Sequence, residues 1–295
     1  MKKALVIINQ HTAKYRLRVD LLDLLDILTK GGLECFTRPT QKAGDAMQYT
    51  AENAADYDVI VCVGGDGTLS EVVTGLCRLE PEKRPPVGYV PAGTTNDFAS
   101  TIGLPSDPLV AAKLIVTGRP VYMDCGIVGG HIFNYIASFG AFTGVSYDTP
   151  QPLKNLFGHF AYLLESVKYL SDIKPCRMRF ENGDEVIEGE FAFGAFANTL
   201  SIGGVIKLPG EVELDDGLHE YLLVKMPQNL ADLHETAHEL AGKKYGKNVV
   251  YGKFRKGEIL FSPDAMAWSL DGDRVDTAGK VEIENLHSAY RLITG

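Results

Sequence analysis

The string Val61-Cys62-Val63-Gly64-Gly65-Asp66-Gly67-Thr68 ends an apolar run on three glycines, a carboxylate and a hydroxyl. Glycines let a backbone turn sharply and approach a ligand with no Cβ in the way. A helix opening at Thr68 presents unpaired N–H groups and the positive end of its dipole, which together cradle phosphate. Asp66 is out of place beside phosphate unless a cation such as Mg²⁺ mediates. No Gly-Lys-Ser/Thr follows, so this is not a Walker-type loop. A glycine-rich turn with a capping aspartate is the plainer alternative. A second string, Pro91-Ala92-Gly93-Thr94-Thr95-Asn96-Asp97-Phe98, ends the run Val87–Val90 in the same way. Neighbouring βα loops face one crevice, so Thr94, Asn96 and Asp97 can share the phosphate site with Asp66. Helix capping by Thr95 or Asn96 is compatible with that role.

His234-Glu235-Thr236-Ala237-His238 formally matches the zinc-protease H-E-x-x-H, with Glu258 downstream as a third ligand. However, Leu230, Leu233, Ala237 and Leu240 form the apolar side of an ordinary amphipathic helix, and Glu258 lies in a strand-like run. A zinc peptidase is therefore kept only as an alternative from a different class.

Four segments together resemble the diacylglycerol kinase catalytic-domain family, in its bacterial lipid-kinase branch. They are G-G-D-G-T at 64–68, P-A-G-T-T-N-D-F at 91–98, E-L-D-D-G-L at 213–218 and S-L-D-G-D at 269–273. The first alone also occurs in NAD kinases and is similar to a phosphofructokinase loop; the four in order are more specific. The resemblance implies an ATP-dependent lipid kinase with Mg²⁺, acting on diacylglycerol or another lipid alcohol. It implies nucleotide contacts from Asn9, Thr40, Gly64, Gly65, Asp66, Gly67, Thr68 and Thr94, with Asp66 and Asp97 holding the nucleotide's Mg²⁺. Asn9 stands where the family has Asn-Pro, and here Gln10 replaces the proline. Asp216, with the backbone carbonyls of Glu213 and Leu218, matches a structural Mg²⁺ site. The family's catalytic base is a Glu; Asp273 stands there, one methylene shorter, with Asp271 helping to position the site. Phosphoryl transfer needs just such parts: a phosphate cradle, Mg²⁺ and a carboxylate to orient the attacking hydroxyl. An NAD kinase and a non-catalytic nucleotide-binding regulator remain alternatives.

These residues require elements to hold them. Strand-like Ala4–Ile8, Leu33–Phe36, Asp58–Val63 and Val87–Val90 alternate with helical Leu17–Lys30, Gly44–Ala55, Leu69–Leu79 and Leu109–Val116. That alternation predicts βαβ units and a mostly parallel sheet in an α/β N-terminal domain; the resemblance implies a fold similar to that of NAD kinases and phosphofructokinases. After Arg119–Pro120, short β-rich runs separated by Asn-Gly and Asp-Gly turns predict a mostly antiparallel domain. Helical insertions are expected near Phe157–Leu170 and Leu230–Gly242, and Val281–Thr294 reads as a strand pair. The boundaries expected are 1–122 and 123–283, with 284–295 able to return to the first domain.

The chain has 295 residues, a net charge of −9 and 45% hydrophobic residues, which suits globular cores. The acidic balance argues against a nucleic-acid partner. No apolar run approaches the roughly 20 residues of a membrane helix. MKKALVIINQ reads as a first strand, not a signal peptide. The five cysteines lack a C-x-x-C and suit thiols in a reducing compartment. A cytoplasmic protein that visits the membrane surface for its lipid is the expectation, with homodimerisation left open. Lys243, Lys244, Lys247, Lys253, Arg255 and Lys256 form a basic island that suits either anionic headgroups or a solvated loop, and the apolar side chains of Leu153–Phe160 suit either a lipid-chain pocket or core packing.

Overall fold

The structure is a computed structural model that describes residues 1–10, 21–94, 96–140, 175–183, 185–199, 201–202, 206–208, 213–242 and 244–295. The helix expected at Phe157–Leu170 and the apolar segment Leu153–Phe160 lie outside these residues. The chain divides into two compact units, Met1–Cys125 with His287–Gly295, and Gly126–Leu286.

In the first unit the order is β1 (Lys2–Asn9), α1 (Leu21–Lys30), β2 (Leu33–Thr40), α2 (Asp45–Asn53), β3 (Val59–Gly64), α3 (Asp66–Cys77), β4 (Val87–Pro91), α4 (Asp97–Thr101) and α5 (Pro108–Thr117). Strands β2, β1, β3 and β4 lie side by side in parallel register. Their apolar runs are buried, as strands covered on both faces must be. Leu24 and Leu28 of α1 pack with Ala112 and Ile115 of α5 against Val6, Val61 and Val90. The parallel arrangement places the residues after Asn9, Thr40, Gly64 and Pro91 at the carboxyl ends of neighbouring strands. Helix α3 starts at Asp66, earlier than expected, so Gly67 belongs to its first turn.

The strand β5 (Arg119–Val128) leads into the second unit. There follow β6 (His131–Phe133), β7 (Ile136–Gly140), β8 (Cys176–Asn182), β9 (Glu185–Ala197), the short pair β10 (Ser201–Ile202) and β11 (Ile206–Lys207), β12 (His219–Lys225), α6 (Leu230–Gly242), β13 (Val249–Phe254), β14 (Lys256–Leu270) and β15 (Asp273–Thr294). Pairing is antiparallel through β13, β12, β9, β7, β14 and β15. Its core is aromatic: Phe139 meets Phe261 and Trp268 edge to face at 5.0 and 5.3 Å, and Phe180 meets Phe254 at 5.6 Å. Such offset contacts suit the ring quadrupole and hold the strands rigidly.

The expected strand pair at Val281–Thr294 is instead part of one strand of 22 residues. A single non-glycine residue within it, Ser288, takes positive φ without ending the strand. Likewise, the runs Glu258–Ser262 and Ala267–Leu270 join as β14, with a register shift between Leu260 and Ala265. A bulge absorbs the polar residues that looked like a break.

Candidate active site

Two strand ends of the first unit carry polar side chains, and a third ends in glycine. Asn9 and Thr40 are register partners at the ends of β1 and β2, and Gly64 ends β3. The Asn9 amide donates from Nδ2 to Thr68 Oγ1 at 2.9 Å, tying β1 to the first turn of α3. Gly64 must be glycine, because a Cβ there would lie 2.6 Å from Thr68 Oγ1. Asp66, Gly67 and Thr68 precede the first bond of the helix, from Leu69 N–H to the Gly65 carbonyl. Their amides therefore have no acceptor within the helix. A Cβ on Gly67 would meet nothing within 4 Å, so the face of the turn is open at that point.

The second loop interlocks with the first. A Cβ on Gly93 would sit 2.6 Å from Gly65 Cα, so the two backbones approach this closely only because Gly93 has no side chain. Asp66 Oδ2 accepts the Asp97 N–H at 2.8 Å, and the Tyr89 hydroxyl stands 3.5 Å from Oδ1. Asn96 holds positive φ at 51° and is buried. Its carboxamide is occupied within the loop: Oδ1 accepts from Gly93 N–H at 2.8 Å and Nδ2 donates to the Gly93 carbonyl at 2.9 Å. Asn96 thus shapes the loop, while Thr94 is exposed.

Burial raises the carboxyl pKa of Asp66, and the N–H groups of Asp97 and Phe98 pull it partly back. Burial also raises Asp97. Two half-buried carboxylates beside a glycine turn suit a hard cation that shares its remaining oxygens with phosphates and water. Tyr89 was illegible as a site residue, since it sits within an apolar strand run.

In the second unit Asp271 and Gly272 make a tight turn between β14 and β15, with φ of 49° and 99°. Positive φ at both central residues is what a type I′ hairpin requires, and Asp-Gly meets it. The Asp271 carboxylate is committed to backbone: Oδ2 accepts from Asn134 N–H at 2.6 Å, and Oδ1 from Tyr135 and Ile136 N–H at 3.0 Å each. Its side chain pins the start of β7, a different task from cofactor contact. Asp273 follows the turn and is exposed.

Near the start of β12, Asp216 Oδ1 accepts the Leu218 N–H at 2.9 Å, and Oδ2 lies 3.0 Å from Lys253 Nζ. Glu213 is exposed, and residues 209–212 lie outside the described residues. These groups do not fit a divalent ion, because an ammonium already holds the carboxylate and Leu218 turns an N–H towards it.

His234 and His238 face each other on α6 with ring centroids 4.4 Å apart. Between them, Glu235 bonds Lys247 Nζ at 3.1 Å and Asn248 Nδ2 at 3.2 Å, while Glu258 pairs with Lys280 at 2.9 Å. Among the described residues no cluster of three His, Cys, Asp or Glu side chains could hold a metal. The zinc-protease reading loses both its base and its third ligand. The basic island is also altered: Lys247, Lys253 and Lys256 each contact two carboxylates. All five cysteines are unbridged. No described helix is long and apolar enough to cross a membrane.

Comparison with known proteins agrees with the loops. The profile of the Diacylglycerol kinase catalytic domain matches residues 3–128. The chain is 34% identical to a diacylglycerol kinase of Bacillus subtilis over 92% of this chain and 90% of that protein. A diacylglycerol kinase of Staphylococcus saprophyticus is 37% identical over 92% and 89% of the two chains. The crystal structure of a candidate diacylglycerol kinase from Bacillus anthracis superposes with a TM-score of 0.83 at 25% identity, covering 100% of this chain and 95% of that one. With two phosphate-type loops interlocked through Gly65–Gly93 and Asp66–Asp97, and with relatives matching over nearly the whole length, this chain belongs to the diacylglycerol kinase family of lipid kinases.

Proposed function

We propose that the protein transfers the γ-phosphoryl group of ATP to the hydroxyl of diacylglycerol, giving phosphatidic acid and ADP. The observation that carries this reading is the interlock of the two glycine loops around Asp66, with its neighbour Asp97. In it, the first-turn amides of α3 receive phosphate oxygens, and the open face at Gly67 admits them. Asp66 and Asp97 hold Mg²⁺, which supplies charge neutralisation on the transferring phosphates. Asn9 and Thr68 brace the turn, and Asn96 keeps the second loop in its strained shape. Asp273 accepts the proton of the attacking hydroxyl. The new bond joins that oxygen to the γ-phosphorus, and the bridging oxygen leaves with ADP.

Labelled ATP offered with diacylglycerol, phosphatidylglycerol, a sphingoid base and NAD⁺ should label phosphatidic acid. Label in NAD⁺ alone would make the chain an NAD kinase, and ATP binding with no acceptor labelled would make it a regulator. Asp273→Asn should lower kcat by about 10²–10⁴-fold with ATP affinity unchanged, since the amide keeps the shape but takes no proton. Asp273→Glu, which restores the family's side chain, should keep substantial activity. Near-parental turnover of Asp273→Asn would remove it as the base.

A further inference from the structure

Asp216, in the turn before β12, and Glu220, on β12 itself, are two carboxylates that the phosphoryl-transfer reading does not use. Glu220 is 1% exposed, and its carboxylate oxygens have no well-aligned hydrogen-bond donor among the described residues. A buried carboxylate needs a cation nearby or it is strongly disfavoured. That cation is on the next strand. Lys253 is the register partner of Glu220 across β12 and β13, and its Nζ lies 3.3 Å from Glu220 Oε1. The same ammonium lies 3.0 Å from Asp216 Oδ2, and Asp216 Oδ1 is taken by the Leu218 N–H. Residues directly opposite in an antiparallel pair hold their Cβ atoms about 5 Å apart. The sheet register therefore delivers the lysine to this spot.

We infer that Lys253 is the built-in counter-ion of the Asp216–Glu220 pair, and that its ammonium takes the place of a divalent cation in this turn. A Mg²⁺ ion requires near-octahedral oxygens at about 2.1 Å. To enter, it must expel the ammonium from both carboxylates and then tolerate a second positive charge beside it. Asp216 differs from Asp66 in that one of its oxygens already faces an ammonium, at 3.0 Å from Lys253 Nζ.

The test uses the full-length, nucleotide-free protein. Mn²⁺ binding is followed by electron paramagnetic resonance for the parent and Asp216→Asn; any ion held elsewhere is common to both and cancels. The two isotherms should coincide. Thermal melts in EDTA and in excess Mg²⁺ are then compared. The parent should melt at the same temperature in both. Lys253→Met should melt roughly 5–10 °C lower in EDTA and recover with Mg²⁺, because the vacated carboxylates then accept the ion. Lys253→Arg should stay independent of metal. Loss of one Mn²⁺ per chain in Asp216→Asn would overturn the inference, and this holds even if Lys253→Met fails to fold. A Lys253→Met protein as stable as the parent in EDTA would overturn it too.

Discussion

Asp66 and Asp271 both follow an apolar strand run and neighbour a glycine, yet their carboxylates differ in what they have left to offer. Asp271 spends both oxygens on the backbone of Asn134, Tyr135 and Ile136. Asp271→Ala should leave three amides without their acceptor and destabilise the protein by about 2–4 kcal/mol. Asp271→Asn should cost less, since it keeps one acceptor oxygen. Urea unfolding checks both, and an alanine variant as stable as the parent would remove the clamp. Glu220 yields a pH signature. Burial, working against Lys253, pushes it up to about 7, above its unfolded value of 4.5. A raised carboxyl favours the folded state most when protonated. Its contribution is therefore complete below about pH 4.5 and lost as pH rises through about 7. Glu220→Gln should flatten that part of the stability curve, by a few kcal/mol at most. Parallel stability curves for parent and variant between those pH values would show that Glu220 does not titrate there.

At the scale of elements, the glycines of the two loops divide by what surrounds them. Gly93→Ala would press a Cβ onto Gly65 Cα at 2.6 Å and Asn96 Oδ1 at 2.7 Å, both held in place. It should separate the loops, lowering stability by about 1–3 kcal/mol and abolishing ATP binding. Gly67→Ala meets no protein atom and lies in a helix, where alanine is favoured by up to about 1 kcal/mol. It should fold as well as the parent and still bind ATP more weakly, because the Cβ enters the space given to phosphate. Calorimetry beside thermal melting separates the two. Unchanged ATP affinity in Gly67→Ala would detach this turn from the nucleotide.

For the molecule as a whole, charge bears on how a lipid is reached. The chain carries −9 overall, and Lys247, Lys253 and Lys256 of its basic island already contact acidic side chains. Exposed pairs of this kind contribute little stability but do neutralise the local field. Flotation with vesicles should show association that does not grow with the fraction of anionic lipid. A steep rise with anionic lipid, abolished by salt, would show that the island is available after all.

Much of the local backbone geometry was legible in the residue types alone. Three glycines, an aspartate and a threonine after an apolar strand specify a tight strand-to-helix turn, because glycine alone allows the close backbone packing seen there. Asp271-Gly272 likewise specifies a type I′ hairpin through the φ values that only such residues adopt readily. The helix Leu230–Gly242 was visible from its spacing, since amphipathic periodicity is a local property. What the sequence could not decide is how each polar group is satisfied. Asp271 meets the amides of Asn134–Ile136, Lys253 meets Glu220, and Gly93 meets Gly65, all distant along the chain. Such partnerships are set by strand register and loop packing, which follow from burying whole faces together. The tertiary structure alone therefore determined which carboxylates are spent on holding the fold.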